Sequence, residues 1–465
     1  MDIFNRICEI LSIIFLVYSL SYATFLLIYT VVGWIALKRI KQKRTYRNSI
    51  QNESYLPISV IVPAYNEGLT IVGSVKSLLA LDYSLYEIVV VDDGSKDDTA
   101  EKVINAFRMH PIFRPVAYRI KTRGKALSLY ESHVNGIRIT LVRKENGGSK
   151  ADANNMGINV SNYPYVLCLD ADSVLQRDSL KEVAFPVLND QNCVAVGGSV
   201  RILNDVVVRD GVVQEYNIPR NFLASLQVLE YERTFCGARM FYNAIRGNPN
   251  ISGAFGLFEK ETLIACGGYD PKSFGEDMDL VLAISRYCID HHKKFKIDYS
   301  PNAVCWTQCP ETFADLKSQR VRWHQGMRQN LKKQWRMIGN PKYGSLGLVT
   351  LPSFILYELL SPFTEIIGII TLVYTLAIRQ MPFEPVVSVM GIYILIGLFT
   401  SLITYFNAVA NFGNKLTCKM VMKILATSFF EIFFMHFYLL GVRLIGAFKS
   451  TKKMKWKPIQ RKEIK

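Results

Sequence analysis

Tyr165-Val-Leu-Cys-Leu169 is an unbroken apolar run that ends on Asp170-Ala-Asp172. Five apolar residues without polar alternation suit a strand buried on both faces, which a parallel sheet covered by helices provides. The two acids that follow fall at the strand's carboxyl end, where open α/β sheets bind their ligands. Two residues apart in extended backbone, the carboxylates share a face. Such a pair, completed by phosphate oxygens and water, suits Mg²⁺ or Mn²⁺, hard cations that prefer oxygen. A D-x-D by itself also arises as a turn or a helix cap; its place after a buried strand is what gives it weight.

The pattern repeats toward the N-terminus. Ile58-Ser-Val-Ile-Val62 is short, apolar and β-branched, and Pro63 and Tyr65-Asn66-Glu67-Gly68 end it. A helical spacing follows through Val72, Val75, Leu78 and Leu79. Ile88-Val-Val-Val91 ends on Asp92-Asp93-Gly94-Ser95, and Asp97 is expected to cap the helix that carries Ala100, Val103 and Ile104. Ile139-Thr-Leu-Val142 predicts a third strand and Lys150 to Val160 a third helix. Alternating strands and helices predict an α/β domain with a mostly parallel sheet. The polar clusters at 63–67, 92–95 and 170–172 then share one edge of it. Asp92 and Asp93 suit hydroxyls or a base N–H there; an Asx turn with Gly94 is the plainer reading, and the two are compatible.

Two clusters lie further on. Gly275-Glu276-Asp277 opens a helical stretch from Met278 to Tyr287. Acids at a helix start favour the dipole, and one of them can also serve as a general base. Gln319-Arg-Val-Arg-Trp323 reads as an amphipathic surface with snorkelling arginines, or as an arginine for phosphate beside an aromatic face for a sugar.

Apolar segments flank this domain. Residues 10–37 carry no charge and exceed the ~20 residues that span a bilayer, too long for a signal-peptide core. Residues 346–378 are apolar but broken by Pro352 and Pro362, 386–408 form a second run, and 424–448 a third, interrupted by Glu431, His436 and Arg443. The expected organisation is a short tail at 1–9, an anchor at 10–37, a basic linker at 38–56, a globular domain at 57–335, a membrane bundle at 346–448 and a basic tail at 449–465. The positive-inside rule places the linker, the domain and the tail in the cytoplasm. Three crossings after the domain would put the tail outside. A Pro-broken 346–378 segment that is partly interfacial or re-entrant, or a last segment lining a protein-filled path, is a way out.

Composition agrees. With 50% hydrophobic and 12% aromatic residues the 465-residue chain is not disordered. The net charge of +16 invites a nucleic-acid reading. However, Lys38–Arg47 holds six bases and no acid, Lys449–Lys465 eight bases and one acid, and both follow apolar runs, so nucleic acid is not the expected partner. Nine scattered cysteines make no disulfide framework, and Cys305 and Cys309 with His291-His292 make a poor zinc set. No G-x-x-x-x-G-K loop supports the contrasting reading, a transporter with a nucleotide-binding domain.

In this order, Pro63-Ala-Tyr-Asn-Glu67, Val91-Asp-Asp-Gly-Ser95, Gly148-Ser-Lys-Ala-Asp152, Asp170-Ala-Asp172, Gly275-Glu-Asp277 and Gln319-Arg-Val-Arg-Trp323 resemble the membrane-embedded family-2 glycosyltransferases, the group of cellulose, chitin, hyaluronan and poly-N-acetylglucosamine synthases. The resemblance covers roughly residues 57–330. It departs at Gly275, where the family usually has Thr or Ser. It implies a GT-A-type domain and an inverting transfer from a nucleotide sugar, UDP-N-acetylglucosamine first and UDP-glucose second, to a growing β-linked polysaccharide; a lipid-linked acceptor is the alternative. Carried over by position, Pro63, Tyr65, Glu67, Asp92 and Asp93 belong to the donor side and Lys150 to the diphosphate. Asp170 and Asp172 hold the sugar diphosphate and its metal, Mg²⁺ or Mn²⁺. Asp277 is the base with Glu276 beside it, Gln319 and Arg322 close over the diphosphate, and Trp323 lies under the acceptor. Between them, Gly197-Gly198 reads as a turn, Val200–Leu203 as a strand, Gln227–Glu230 as a helix at the acceptor and Ile251–Gly256 as a loop under the donor sugar. Trp306, Trp323 and Trp335 with Pro352 and Pro362 are expected where product meets the membrane, and few crossings suggest an accessory subunit or a homo-oligomer.

Overall fold

The computed structural model describes residues 2–49, 55–209, 211–215, 218–411 and 418–449. Twelve strands run β1 (Ile58–Ala64), β2 (Tyr86–Asp92), β3 (His110–Ile112), β4 (Ala126–Val134), β5 (Ile137–Lys144), β6 (Tyr165–Leu169), β7 (Val174–Leu175), β8 (Cys193–Ile202), β9 (Val207–Arg209), β10 (Val212–Glu215), β11 (Phe255–Glu259) and β12 (Lys296–Thr307). Ten make one sheet in the order β3-β4-β5-β2-β1-β6-β11-β8-β12-β7, and β9-β10 is a separate pair. The run β5-β2-β1-β6 is parallel, as its unalternated apolar sequence predicts. Val60, Val62 and Val90 pack into one core and Ile61, Val89 and Val91 into another, so both faces are covered. Helices Ile71–Leu79, Thr99–Ala106 and Ser179–Asn189 close one face, Lys150–Val160 and Glu276–Asp290 the other.

The remainder departs from expectation in instructive ways. β11 runs antiparallel between β6 and β8, and β8 and β12 pair in parallel beyond it. Gly197-Gly198 is no turn: it lies inside β8, where a Cβ on Gly198 would sit 2.1 Å from the Phe255 ring. Asp98, not Asp97, precedes the helix at 99–106, while Asp97 Oδ1 accepts the Thr99 N–H at 3.1 Å. Trp306 is fully buried in β12 among Val174, Leu203 and Val304, so it belongs to the core and not to an exit path.

One helix spans Asp2–Ser49, so the described parts of the expected tail and linker continue the anchor; residues 50–54 and the tail from 450 lie outside the described residues. Among the described residues, three helices are long and apolar enough to cross a membrane: Ile3–Ile40, Phe383–Phe406 and Val421–Phe448. A fourth candidate is the pair Leu346–Leu359 and Ser361–Ala377, bent by 49°. Pro362 sits in the first turn of its helix, where a missing N–H costs nothing, whereas Pro352 lies inside Leu346–Leu359, between two stretches wound as π-helix.

The contacts order these elements. Ser361–Ala377 lies antiparallel to the first helix, with Gly368 against Phe15 and Thr375 against Ser12 (3.3 Å). Phe383–Asn411 returns toward the sheet domain, where Ser401 and Glu431 take Arg233 at 3.0 and 2.5 Å and Tyr405 packs with Ala224 and Val228. Val421–Phe448 touches the domain from end to end. Lys423 Nζ donates to Ile218 O at 3.0 Å, Phe430 and Phe434 meet Phe222, Tyr438 OH donates to Phe313 O at 2.8 Å, Arg328 reaches Ala447 O, and Gln325 donates to Lys449 O at 2.9 Å. Its polar interruptions are all paired: Glu431 with Arg233, His436 with Glu365 at 2.7 Å and Arg443 with Glu358 at 3.2 Å.

Candidate active site

The candidate donor wall is two loops sewn together. Asp93 N–H donates to Ala64 O at 2.9 Å, Asn66 N–H to Ser95 Oγ at 3.0 Å, Lys96 N–H to Asn66 Oδ1 at 2.8 Å and Gly68 N–H to Asp97 Oδ2 at 3.1 Å. Asn66 takes a left-handed turn (φ 56°), which asparagine tolerates. Glu67 accepts from Thr70 Oγ1 at 2.8 Å, and Pro63 and Tyr65 are half-buried on the same wall. Asp92 forms the Asx turn, accepting the Ser95 N–H at 3.0 Å, with Arg143 3.7 Å away.

Asp93 is tied inward. Its Oδ1 accepts from Lys144 Nζ and from the Gly147 N–H at 3.0 Å. Lys144, the last residue of β5, is wholly buried and also meets Asp152 Oδ2 at 2.9 Å. Asp152 in turn accepts the Arg123 N–H at 2.6 Å, and its own N–H donates to the Ser149 hydroxyl that caps helix 150–160. Burial pushes the Asp93 carboxyl above its usual range, against the pull of Lys144 and Gly147. Lys144 escaped sequence reading, because a lone lysine ending a strand carries no motif; Asp152 falls within Gly148-Ser-Lys-Ala-Asp152, which gives it no role of its own.

The candidate catalytic groups converge from four elements. Lys150 Nζ donates to Asp170 Oδ1 and to Gly253 O at 2.7 Å. A Cβ built on Gly253 would stand 3.6 Å from Asp277 Cβ, 3.7 Å from Lys150 Nζ and 3.9 Å from Glu276 Oε1, so this glycine lies where the three side chains meet. Burial lowers the Lys150 ammonium, but the charges of Asp170 and Glu276 outweigh it and hold it above the ordinary lysine range. Burial and the Asp277 charge push Glu276 above the usual carboxylate range, opposed by Lys150 and Arg322. Asp277 Oδ1 accepts the Met278 N–H at 2.8 Å, and its charge acts on Arg239. Arg239, unremarked in the sequence, donates to Asn250 O at 2.7 Å and keeps a buried Nε without a partner.

Helix Phe313–Lys333 docks on the start of helix 276–290 through two glycines. A Cβ on Gly326 would fall 2.7 Å from Gly275 N, and Asn330 donates to Gly275 O at 2.7 Å. Gln319, Arg322, Gly326 and Asn330 follow one another at helical spacing and so share the face that docks on Gly275, and the Arg322 charge acts on Glu276. Gln319 Oε1 is buried without a partner. The departure at Gly275 thus has a steric setting: a side chain there would crowd Asn330 Nδ2 (3.1 Å) and Gly326 Cα (3.3 Å). Gly326→Ala should cost about 1–3 kcal/mol of stability through overpacking and loosen Arg322 from the site; an unchanged melting temperature with full activity would refute this docking. Trp323 is exposed, but one ring face carries the Arg320 guanidinium at 4.1 Å, itself bound to Glu230 at 2.8 Å.

Asp170 and Asp172 fit a divalent ion of the Mg²⁺ or Mn²⁺ type. Among the described residues no three His, Cys, Asp or Glu side chains gather as a metal cage. Two carboxylates with the remaining positions left to phosphate and water are what these ions use beside a nucleotide. All nine cysteines are free, and the zinc set is absent.

A family profile described as "Glycosyltransferase like family 2" matches residues 56–326. The chain belongs to that family. It is 30% identical over 313 residues to the poly-β-1,6-N-acetyl-D-glucosamine synthase of Staphylococcus aureus, a match covering 66% of this chain and 64% of that one. With the Staphylococcus epidermidis synthase of the same name it shares 30% over 330 residues, 70% and 68% of the two chains. The match thus spans slightly under two thirds of the S. aureus synthase. A mannosyltransferase from Pyrobaculum calidifontis, solved with GDP-Man and Mn²⁺, superposes with a TM-score of 0.54 over 92% of this chain and 98% of its own at 18% identity, which shows a shared fold. The family-2 domain accounts for the sheet, the acid-bearing strand ends and the helix that carries Arg322.

Proposed function

We propose that this protein is an inverting glycosyltransferase that moves a sugar from a nucleotide sugar, UDP-N-acetylglucosamine before UDP-glucose, to a growing β-linked polysaccharide at the membrane. The observation that carries the reading is the meeting of Lys150, Asp170, Glu276 and Asp277 around Gly253, beside a helix presenting Arg322. A likeness to two staphylococcal poly-N-acetylglucosamine synthases supports the donor and the linkage.

A sugar hydroxyl is a poor nucleophile. Asp277 takes its proton as the acceptor oxygen bonds to the anomeric carbon, and the bond from that carbon to the diphosphate breaks. Attack opposite the leaving group inverts the centre. Lys150 and Arg322 meet the charge that grows on the departing diphosphate. The remaining oxygen of Asp93 and the wall at Pro63, Tyr65 and Glu67 face the nucleoside. Asp170 and Asp172 would hold the divalent ion, which supplies further positive charge to the diphosphate. Trp323 offers its uncovered ring face to the acceptor, and Gln319 its orphan oxygen. The deciding experiment incubates membranes containing the protein with labelled UDP-sugars and digests the product with linkage-specific hydrolases. Label confined to lipid extracts would replace the polysaccharide with a lipid-linked acceptor; no transfer from any nucleotide sugar would end the reading.

The same contacts support a topology for the chain. Ile3–Ile40, Ser361–Ala377 and Phe383–Phe406 cross, while Val421–Phe448 lies flat between the domain and the lipid. Its seventeen residues make Ser361–Ala377 about 25 Å long at 1.5 Å per residue, near the thickness of the hydrocarbon core. Three crossings bring both basic segments to the cytoplasmic side and remove the parity conflict. A cysteine at position 465, in a Cys418→Ser background, should resist a membrane-impermeant maleimide in intact cells and react after permeabilisation. Labelling of intact cells would mean that Val421–Phe448 crosses.

A further inference from the structure

We propose that the Lys150 ammonium and the divalent ion compete for Asp170, so that ion and diphosphate enter the site together. This rests on the donor site described above. The starting observation is that Asp170, the more open of the D-x-D carboxylates, already has a cation on it. Lys150 Nζ sits on its Oδ1, with the two side chains 26% and 33% exposed, whereas Asp172 is only 6% exposed. A dication arriving at Asp170 meets a carboxylate half-neutralised by a fixed ammonium and is repelled by it.

The ammonium has somewhere else to go. It is anchored by a second bond to Gly253 O at 2.7 Å, and the Glu276 charge attracts it as well. Helix 150–160 is capped by Ser149 and buried along its length from Ala151 to Val160, so the side chain and not the helix makes the move. With Gly253 O as pivot, Lys150 leaves Asp170 for an incoming diphosphate oxygen, and the freed Asp170 oxygen joins the ion that the diphosphate brings. No covalent bond changes. Lys150 therefore couples the two ligands: each raises the affinity of the other by the same factor.

The test measures Mn²⁺ binding, not turnover. Free Mn²⁺ is followed by electron paramagnetic resonance on the full-length protein in nanodiscs, with and without UDP, for the unaltered protein and for Lys150→Gln, Lys150→Arg and Asp170→Asn. UDP should tighten Mn²⁺ binding to the unaltered protein by about 5–150-fold, the usual span of site-to-site coupling. Lys150→Gln should bind Mn²⁺ alone several-fold more tightly than the unaltered protein and gain less from UDP. Lys150→Arg keeps the competing charge and should bind Mn²⁺ alone as the unaltered protein does; Asp170→Asn should lose the ion in both conditions. If Lys150→Gln, with an unchanged melting temperature, binds Mn²⁺ alone no better than the unaltered protein, the exchange is wrong. The Mn²⁺-only arm needs no nucleotide. Failure of the unaltered protein to bind UDP in Mn²⁺ therefore counts against the donor reading, while the comparison of variants still decides the exchange.

Discussion

Asp277→Asn is expected to slow sugar transfer by about 10²–10⁴-fold, the contribution of a positioned general base, while UDP affinity stays close to that of the unaltered protein. The amide keeps the shape of the carboxylate and its bond to the Met278 N–H, yet it accepts no proton. Its neighbour gives the contrast. Glu276 is pushed toward protonation by burial and by Asp277 and faces Lys150 and Arg322, the two cations assigned to the diphosphate. Glu276→Gln should therefore disturb donor binding, whereas Asp277→Asn should leave it. Single-turnover transfer and UDP binding, measured on both variants, separate the roles. Retention of more than a tenth of the transfer rate by Asp277→Asn would remove Asp277 as the base.

Lys144→Met should have the largest effect on stability. Lys144 is enclosed between Asp93 and Asp152, which are themselves 5% and 0% exposed. Removing one partner from a buried ion pair leaves an uncompensated charge at a cost of about 3–5 kcal/mol. Two carboxylates would then share a dry pocket, and both would favour the protonated form. A carboxyl whose folded-state value is raised stabilises the fold below its unfolded value and loses that contribution as pH rises through the folded value. The deficit of Lys144→Met should thus shrink as pH falls from 7 toward 5, and Lys144→Met with Asp152→Asn should recover part of it. Melting temperatures in detergent at the two pH values decide the matter. A deficit independent of pH would mean that lost packing, and not stranded charge, is responsible.

Lys144 also marks where sequence reading ends. Unalternated apolar runs at 58–62, 88–91, 139–142 and 165–169 determined a parallel α/β core by themselves, because only a strand covered on both faces has no polar side to show. Acids placed directly after such runs marked the ligand edge for the same reason. The antiparallel strand at 255–259 was not legible: Ile251–Gly256 read as a loop, and only the packing shows why Gly256 is needed, since a Cβ there would stand 2.6 Å from Ile251 Cγ2. Trp306 was likewise misread, since an aromatic side chain in a strand looks the same whether it lines a path or fills a core.

Hydropathy made the last apolar segment, 424–448, a candidate crossing, and its charges offered a protein-lined path instead. Composition responds to apolar surroundings and does not distinguish lipid on all sides from lipid on one side and protein on the other. Bonds from Lys423 at one end to Lys449 at the other run this helix along the sheet domain, which supports the flat placement proposed above. Tertiary structure also joined groups from distant positions, Lys150, Asp170, Gly253, Glu276 and Arg322, into one charge network. Sequence determined which residues have the chemistry and at which strand ends they stand. Only packing decided that Gly326 fits against Gly275 and so brings the arginine helix to the acids, because a contact between residues 51 apart leaves no periodicity to read.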